Sequence, residues 1–234
     1  MRAQRLALCL SAASVSLLPA PLRAEEGRVD QVEGLEIEAE TAELELQFVL
    51  AEEEDARLLI GTFEYGFSDW LQLGVEIESE SEDGEALRVE SIAPQAKIMF
   101  TDPGSAPVGL GLQAGAVIDT GGDGIGGEFA FIAEHRREDF TVIANLIAEA
   151  EPGDWSEGSL AYAARGDWEL GETIGAGVEF GGALTGENKG SHFAGPVLDL
   201  GLAEDGPSIE LGVFAPLSEE APGWQARLEL DWEF

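Results

Sequence analysis

The chain has 234 residues, with Lys+Arg 12 against Asp+Glu 47, a formal net charge of -35, 30 Gly and one Cys. A surface this acidic repels phosphate and offers no basic stripe, which excludes nucleic-acid binding. With 11 Phe, 5 Trp and 44% hydrophobic residues, it also carries too much apolar bulk for a disordered acidic polymer.

Residues 1–24 stand apart. Arg2 and Arg5 precede an apolar stretch from Leu6 to Leu18, and Pro19 to Ala24 is rich in breakers and small residues. This reads as a secretory signal peptide, removed after Ala24 or alternatively after Ala20. Three of the 12 basic residues, Arg2, Arg5 and Arg23, and the single cysteine, Cys9, leave with it. Leu8 stands where a lipid-anchor signal wants a small residue, which argues against acylation at Cys9. The remainder, 25–234, is expected to be one domain without disulfides.

No later run of apolar residues is long enough for a transmembrane helix. Alternation with period two recurs instead. Leu71, Leu73, Val75 and Ile77 are spaced by Gln72, Gly74, Glu76 and Glu78, so a strand there has one apolar and one acidic face. The same pattern sets Leu35 and Ile37 against Glu36, Glu38 and Glu40, then Leu44, Leu46 and Phe48 against Glu43, Glu45 and Gln47. Parity changes between Thr41 and Glu43, which predicts a bulge. In chain order the expected strands are 35–49, 56–66, 69–80, 86–100, 107–118, 125–135, 139–150, 158–168, 172–183, 191–203, 207–217 and 223–234. The turns between them are short and rich in Gly, Pro, Asp and Ser, leaving no segment for a second domain or a large plug.

A soluble sandwich would explain any one of these strands. Aromatic residues at strand ends (Phe67, Trp70, Trp155, Trp168, Trp224) and the terminal strand favour a membrane barrel, where aromatic girdles mark the two interfaces. The last residues place Ala226, Leu228, Leu230, Trp232 and Phe234 on one face and end on an aromatic. This resembles the insertion signal of bacterial outer-membrane barrels, and it implies outer-membrane lipid and the barrel-assembly machinery as partners. The expected fold is therefore all-β, a single antiparallel transmembrane barrel of about 12 strands in the cell outer membrane. Both chain ends are expected in the periplasm. Turns near 67–69, 101–106, 136–138, 169–171 and 204–206 then lie on that side, with loops near 50–55, 81–85, 119–124, 151–157, 184–190 and 218–222 outside.

The stretch Phe63-Glu64-Tyr65-Gly66-Phe67-Ser68-Asp69-Trp70-Leu71-Gln72-Leu73-Gly74-Val75-Glu76 resembles a hairpin of the proteobacterial outer-membrane proteins assigned to transport in the phenol-degradation meta-pathway. Gly195-Pro196-Val197-Leu198 and the terminal strand are similar to relatives of that group. The resemblance implies passage of small organic molecules and carries over no binding residue.

The face opposite the lipid lines the lumen. There the reading places Glu36, Glu38, Glu40, Glu43, Glu45, Glu64, Glu76, Glu78, Glu90, Glu128, Glu179 and Glu229, with Arg88, Lys97, Arg165 and Arg227 as counter-charges. Gly109, Gly111, Gly115, Gly175 and Gly177 remove side-chain volume from the opposite wall. An acidic wall facing glycines suggests a water-filled, cation-preferring passage for small solutes. The competing readings are a non-conducting structural or surface-interaction barrel and an interior made acidic by adaptation to high salt.

Catalysis, a cofactor and a metal centre are not expected. Ser191 and His192 are adjacent and point to opposite faces, so they cannot pair as nucleophile and base. His135, Arg136 and Arg137 sit at a turn suited to lipid head groups or periplasmic partners. Two His and Met99 are too few for a copper or zinc carrier. The Glu52–Asp55 run offers hard oxygens for loose calcium binding or is a solvated acidic loop.

Overall fold

A computed structural model describes residues 32–52, 57–81, 86–122, 124–202, 206–221 and 223–234. The expected signal peptide and the acidic positions 53–55, 82–83 and 204–205 lie outside the described residues. The strands are β1 (Ala42–Ala51), β2 (Arg57–Ser68), β3 (Leu71–Ser81), β4 (Arg88–Thr101), β5 (Gly109–Gly115), β6 (Ile118–Asp119), β7 (Gly127–Arg137), β8 (Phe140–Glu151), β9 (Asp154–Gly171), β10 (Ile174–Ala183), β11 (His192–Gly201), β12 (Ser208–Pro216) and β13 (Gln225–Glu233). All pairings are antiparallel. Twelve strands form an up-and-down ring, and β6 is a two-residue addition against β4.

The ring closes where β1 meets β13, with Leu46 opposite Leu230 and Gln47 opposite Glu229. Phe234 N donates to Ala42 O at 2.9 Å and Ala42 N returns a bond to Phe234 O at 3.1 Å, so the ladder runs to the last residue. Closure removes the free edge strands that neither lipid nor an open sheet could satisfy. This end of the barrel is the terminal rim; the other is the far rim.

Period-two alternation distributes the residues inside out. Phe63, Phe131, Phe180, Leu211 and Leu228 face outward and stay 43–47% exposed, while Gln47, Glu64, Lys97, Asn145, Glu179 and Arg227 face inward and are buried. A water-soluble sandwich has the reverse arrangement. The outer surface is therefore apolar and is ringed near the terminal rim by Phe67, Trp70, Phe100, Trp168 and Phe234, with Trp155 and Trp224 exposed near the far rim. Phe140 packs on Trp168 at 4.9 Å between centroids, and Trp232 on Phe234 at 6.0 Å. Leu228, Leu230, Trp232 and Phe234 all lie on this outer surface.

Two expectations need correction. The strand predicted over 107–118 is interrupted after Gly115. Ala116 N donates to Pro94 O at 3.0 Å, but Pro94 has no N–H to return, so the ladder breaks and pairing resumes only at β6.

The larger correction is at the start of the chain. The strand expected over 35–49 begins at Ala42, and residues 32–41 pass through the lumen instead. The parity change at Thr41–Glu43 marks no bulge. It marks a turn at Ala39–Glu40, with Glu40 in the left-handed region (φ 65°), that swings the chain from lumen to wall. Glu40 N donates to Gly66 O at 2.7 Å, and Gly66 N donates to Thr41 O at 3.0 Å. A Cβ on Gly66 would collide with the Glu38 carbonyl, so glycine is required where the segment crosses β2.

Candidate functional site

The inserted segment is held by the wall it crosses. Asn145 on β8 accepts from Glu33 N at 2.8 Å and donates to Glu33 O at 2.9 Å, satisfying the segment's backbone as a neighbouring strand would. Glu134 on β7 accepts from Leu35 N at 2.8 Å. Arg136 donates to Glu134 at 2.9 Å and pairs with Glu36 at 3.4 Å. Arg136 thus serves the lumen, not head groups as its place in the basic triplet suggests. His135 and Arg137 remain with each other at 3.1 Å, and the other nitrogen of His135 lies 2.6 Å from Pro107 O.

Deeper in, Val32 packs on Ala130, Ile147, Ala161 and Ala163, with Ile143 beside them. Leu35 fills the space left by Gly111, where a Cβ would strike its side chain. Gly177 likewise leaves room for the Asp167 carboxylate and Val197. The volume expected along these glycines is therefore occupied by neighbouring side chains. A sequence reading of wall strands alone has no access to this, because the filling residues come from other parts of the chain.

On the β9–β13 wall, Arg165 donates to Asp167 at 2.6 Å and to Asp199 at 2.9 Å, and it also pairs with Glu210. Arg227 donates to both oxygens of Glu179, at 2.9 and 2.7 Å, and to Glu210 at 2.6 Å. Glu210 thus bridges two guanidiniums across strands β9, β12 and β13. Arg227 also lies over the Phe214 ring at 5.1 Å. Toward the far rim the lining becomes apolar, with Phe193, Val197 and Phe214 in one cluster and Val49, Leu58 and Ile60 in another.

The β1–β4 side keeps an acid-lined cavity of about 380 Å3. Its walls carry Glu43 and Glu45 of β1, Glu64 of β2, Glu76 of β3, Glu229, Asp231 and Glu233 of β13, and Glu33 and Glu36 of the inserted segment, nine carboxylates among the described residues. Among the described residues Lys97 is the single basic one in this lining. In register, Glu43 stands between Glu233 and Glu64, and Glu45 is opposite Asp231, so like charges face each other across the closing seam. Such pairs are unfavourable unless water or cations screen them.

The predicted lumen residues fall into separate groups. Glu36, Glu64, Glu76, Glu229 and Lys97 come together at the cavity. Arg165, Arg227 and Glu179 form the buried network, while Glu38 and Glu40 are exposed on the inserted segment and not on a strand. Glu78 is opposite Ile60, and Glu128 stands between Gly115 and Glu149 toward the far rim. Arg88 is exposed opposite Glu80. Glu90 is the extra residue of a bulge, because Ser91 pairs with Glu78 and Val89 with Ser79.

Glu134, Asn145, Asp199, Glu210 and Asp231 were not singled out in the sequence. Asp231 and Glu233 share the parity of Arg227, and Glu134 shares that of Glu128, which was the available signal; the role of Asn145 shows only in its contacts with Glu33. Ser191 and His192 do diverge as expected: Ser191 Oγ donates to Glu220 O at 2.9 Å, while the His192 ring lies 3.4 Å from Tyr162 Oη.

Neither a family model nor a curated protein matches the sequence. Solved structures do. The chain is similar to the KdgM porin in complex with disordered oligogalacturonate, with 9% identity over 82% of this chain and 99% of that one at a TM-score of 0.63. It is also similar to the NanC porin, with 7% identity over 81% and 98% at 0.60. A third match, an outer membrane channel from Pseudomonas putida F1, has 12% identity over 88% and 100% at 0.59. The architecture is thus that of the porin-like outer-membrane β-barrels. At such identities the likeness defines the fold and leaves the lumen chemistry to be read from this chain's own residues.

Proposed function

We propose that the protein is a passive pore of the outer membrane for small solutes, with an acidic, cation-preferring lumen that the inserted segment narrows. The observation that carries this reading is the cavity of nine carboxylates and one ammonium inside a barrel with an apolar outer surface. Carboxylates fixed on a low-dielectric wall concentrate cations and repel anions at close range. An anionic oligosaccharide such as the oligogalacturonate of the KdgM complex would meet repulsion here. The hairpin resemblance at Phe63–Glu76 supports small organic molecules as the solute class.

The porin-like fold supports placement in the outer membrane, with lipid around the apolar belt and assembly by the barrel-assembly machinery acting on the terminal strand. Passage rather than catalysis also fits the separation of Ser191 from His192. The test is ion current through the refolded chain in a planar bilayer, with the reversal potential measured under a potassium chloride gradient. Discrete cation-selective steps are expected, and replacing Glu45 and Glu76 by Gln should lower the selectivity. A folded, inserted barrel that stays silent would overturn this reading in favour of a non-conducting structural or interaction barrel.

A further inference from the structure

Among the described residues, Lys97 is the one side chain of opposite sign in the cavity lining. Its Nζ lies 3.1 Å from Glu33 Oε2 on the inserted segment and 3.8 Å from Glu64 Oε2 on β2, and its side chain is only 7% exposed. On β3 and β5 its register partners are Gln72 and Gln113. Gln113 donates to Gln95 at 3.2 Å, and Gln95 donates to Glu64 at 3.1 Å, so neutral amides fix the carboxylate that Lys97 meets. The ammonium is therefore held at one point between two carboxylates. Arg165 and Arg227 do not compete for that place, because neither lines the cavity.

A mobile cation and a tethered ammonium have the same attraction to a pair of carboxylates, but only the mobile cation carries current. We propose that Lys97 determines the selectivity of the passage, acting as a built-in counter-ion in the place a permeating cation would otherwise take between Glu33 and Glu64. It holds the cation preference below what the carboxylate wall alone would give. This rests on the reading of the lumen as a conducting acidic passage.

A unit charge acting over about 7 Å through water changes the local ion population roughly threefold. Lys97→Gln should thus raise the potassium-to-chloride permeability ratio roughly ninefold, a factor of about three from more potassium and about three from less chloride, Lys97→Arg should leave it unchanged, and Glu33→Gln should lower it. The alternative is that Lys97 only anchors the inserted segment through Glu33. The Lys97→Gln/Glu33→Gln double variant separates the two, because it lacks the anchor yet keeps the wild-type net charge. Recovery of the wild-type reversal potential supports the charge role, and a double variant as shifted as Lys97→Gln overturns it.

Each variant is checked for folding by its heat-modifiable mobility. If Lys97→Gln does not fold, the downward shift expected of Glu33→Gln decides, and no shift overturns the proposal. A cation-preferring wild type that Lys97→Gln leaves unaltered removes Lys97 from the mechanism and spares the passage. A silent or unselective wild type overturns both.

Discussion

Arg227 offers the sharpest test of how this interior is held together. Arg227→Met keeps an unbranched apolar stem but removes the guanidinium that lies over Phe214, and with it three hydrogen bonds, two to Glu179 and one to Glu210. Glu210 retains Arg165, so the loss falls mainly on Glu179, which is 0% exposed and is bonded at both oxygens by Arg227. Breaking one partner of a buried pair costs about 3–5 kcal/mol, mostly from the stranded charge. Because one of the two carboxylates keeps a guanidinium, the lower end of that range, about 3 kcal/mol, is expected for Arg227→Met.

The assay is equilibrium urea unfolding of the refolded barrel in lipid vesicles, read by heat-modifiable mobility. Adding Glu179→Gln to Arg227→Met removes the stranded charge and should restore most of the lost stability. A destabilisation by Arg227→Met of less than about 1 kcal/mol, the range of exposed ion pairs, would refute the reasoning. A double variant as unstable as the sum of its parts would refute it too, since additivity means no coupling.

Three further outcomes follow from the inserted segment and the closing strand. Gly66→Ala places a Cβ against the Glu38 carbonyl and should displace the segment, raising single-channel conductance while the barrel stays folded. Asn145→Ala removes both hydrogen bonds to Glu33, worth about 2 kcal/mol together. Introduced into a Leu35→Cys background, it should speed thiol labelling by roughly 30-fold if the segment exchanges with an open state. Deleting Phe234 removes the reciprocal backbone pair with Ala42 and should reduce membrane assembly, measured as the fraction of heat-modifiable protein in the outer membrane.

Strand-forming stretches were legible in the sequence because lipid on one side and a polar lumen on the other impose a period of two on every wall residue. Leu71 to Ile77 and Ala226 to Phe234 show that alternation without interruption, and the structure gives each the expected faces. Twelve spanning strands, the short turns and the girdle aromatics followed from the same rule. The inward direction of Glu64, Glu76, Glu229, Lys97 and Arg227 followed as well.

Alternation could not show that Leu35 to Glu40 has left the wall, since an extended segment in the lumen carries the same period as a strand. Its one trace was the parity change before Glu43, and a bulge explains that locally just as well. Nor could the sequence tell an empty glycine wall from a filled one. Gly111 is a seat for Leu35, 76 residues away, and Gly177 makes room for Asp167. Which carboxylates stay in the cavity with Lys97, and which are locked against Arg165 and Arg227, depends on strand register around the closed ring. The sequence by itself determined the two faces of clearly alternating wall strands such as Leu71 to Ile77 and Ala226 to Phe234, because each residue's partition between lipid and lumen is a local property. Only the tertiary structure decided what fills the lumen and which charges pair there, because those contacts join residues whose meeting no local pattern encodes.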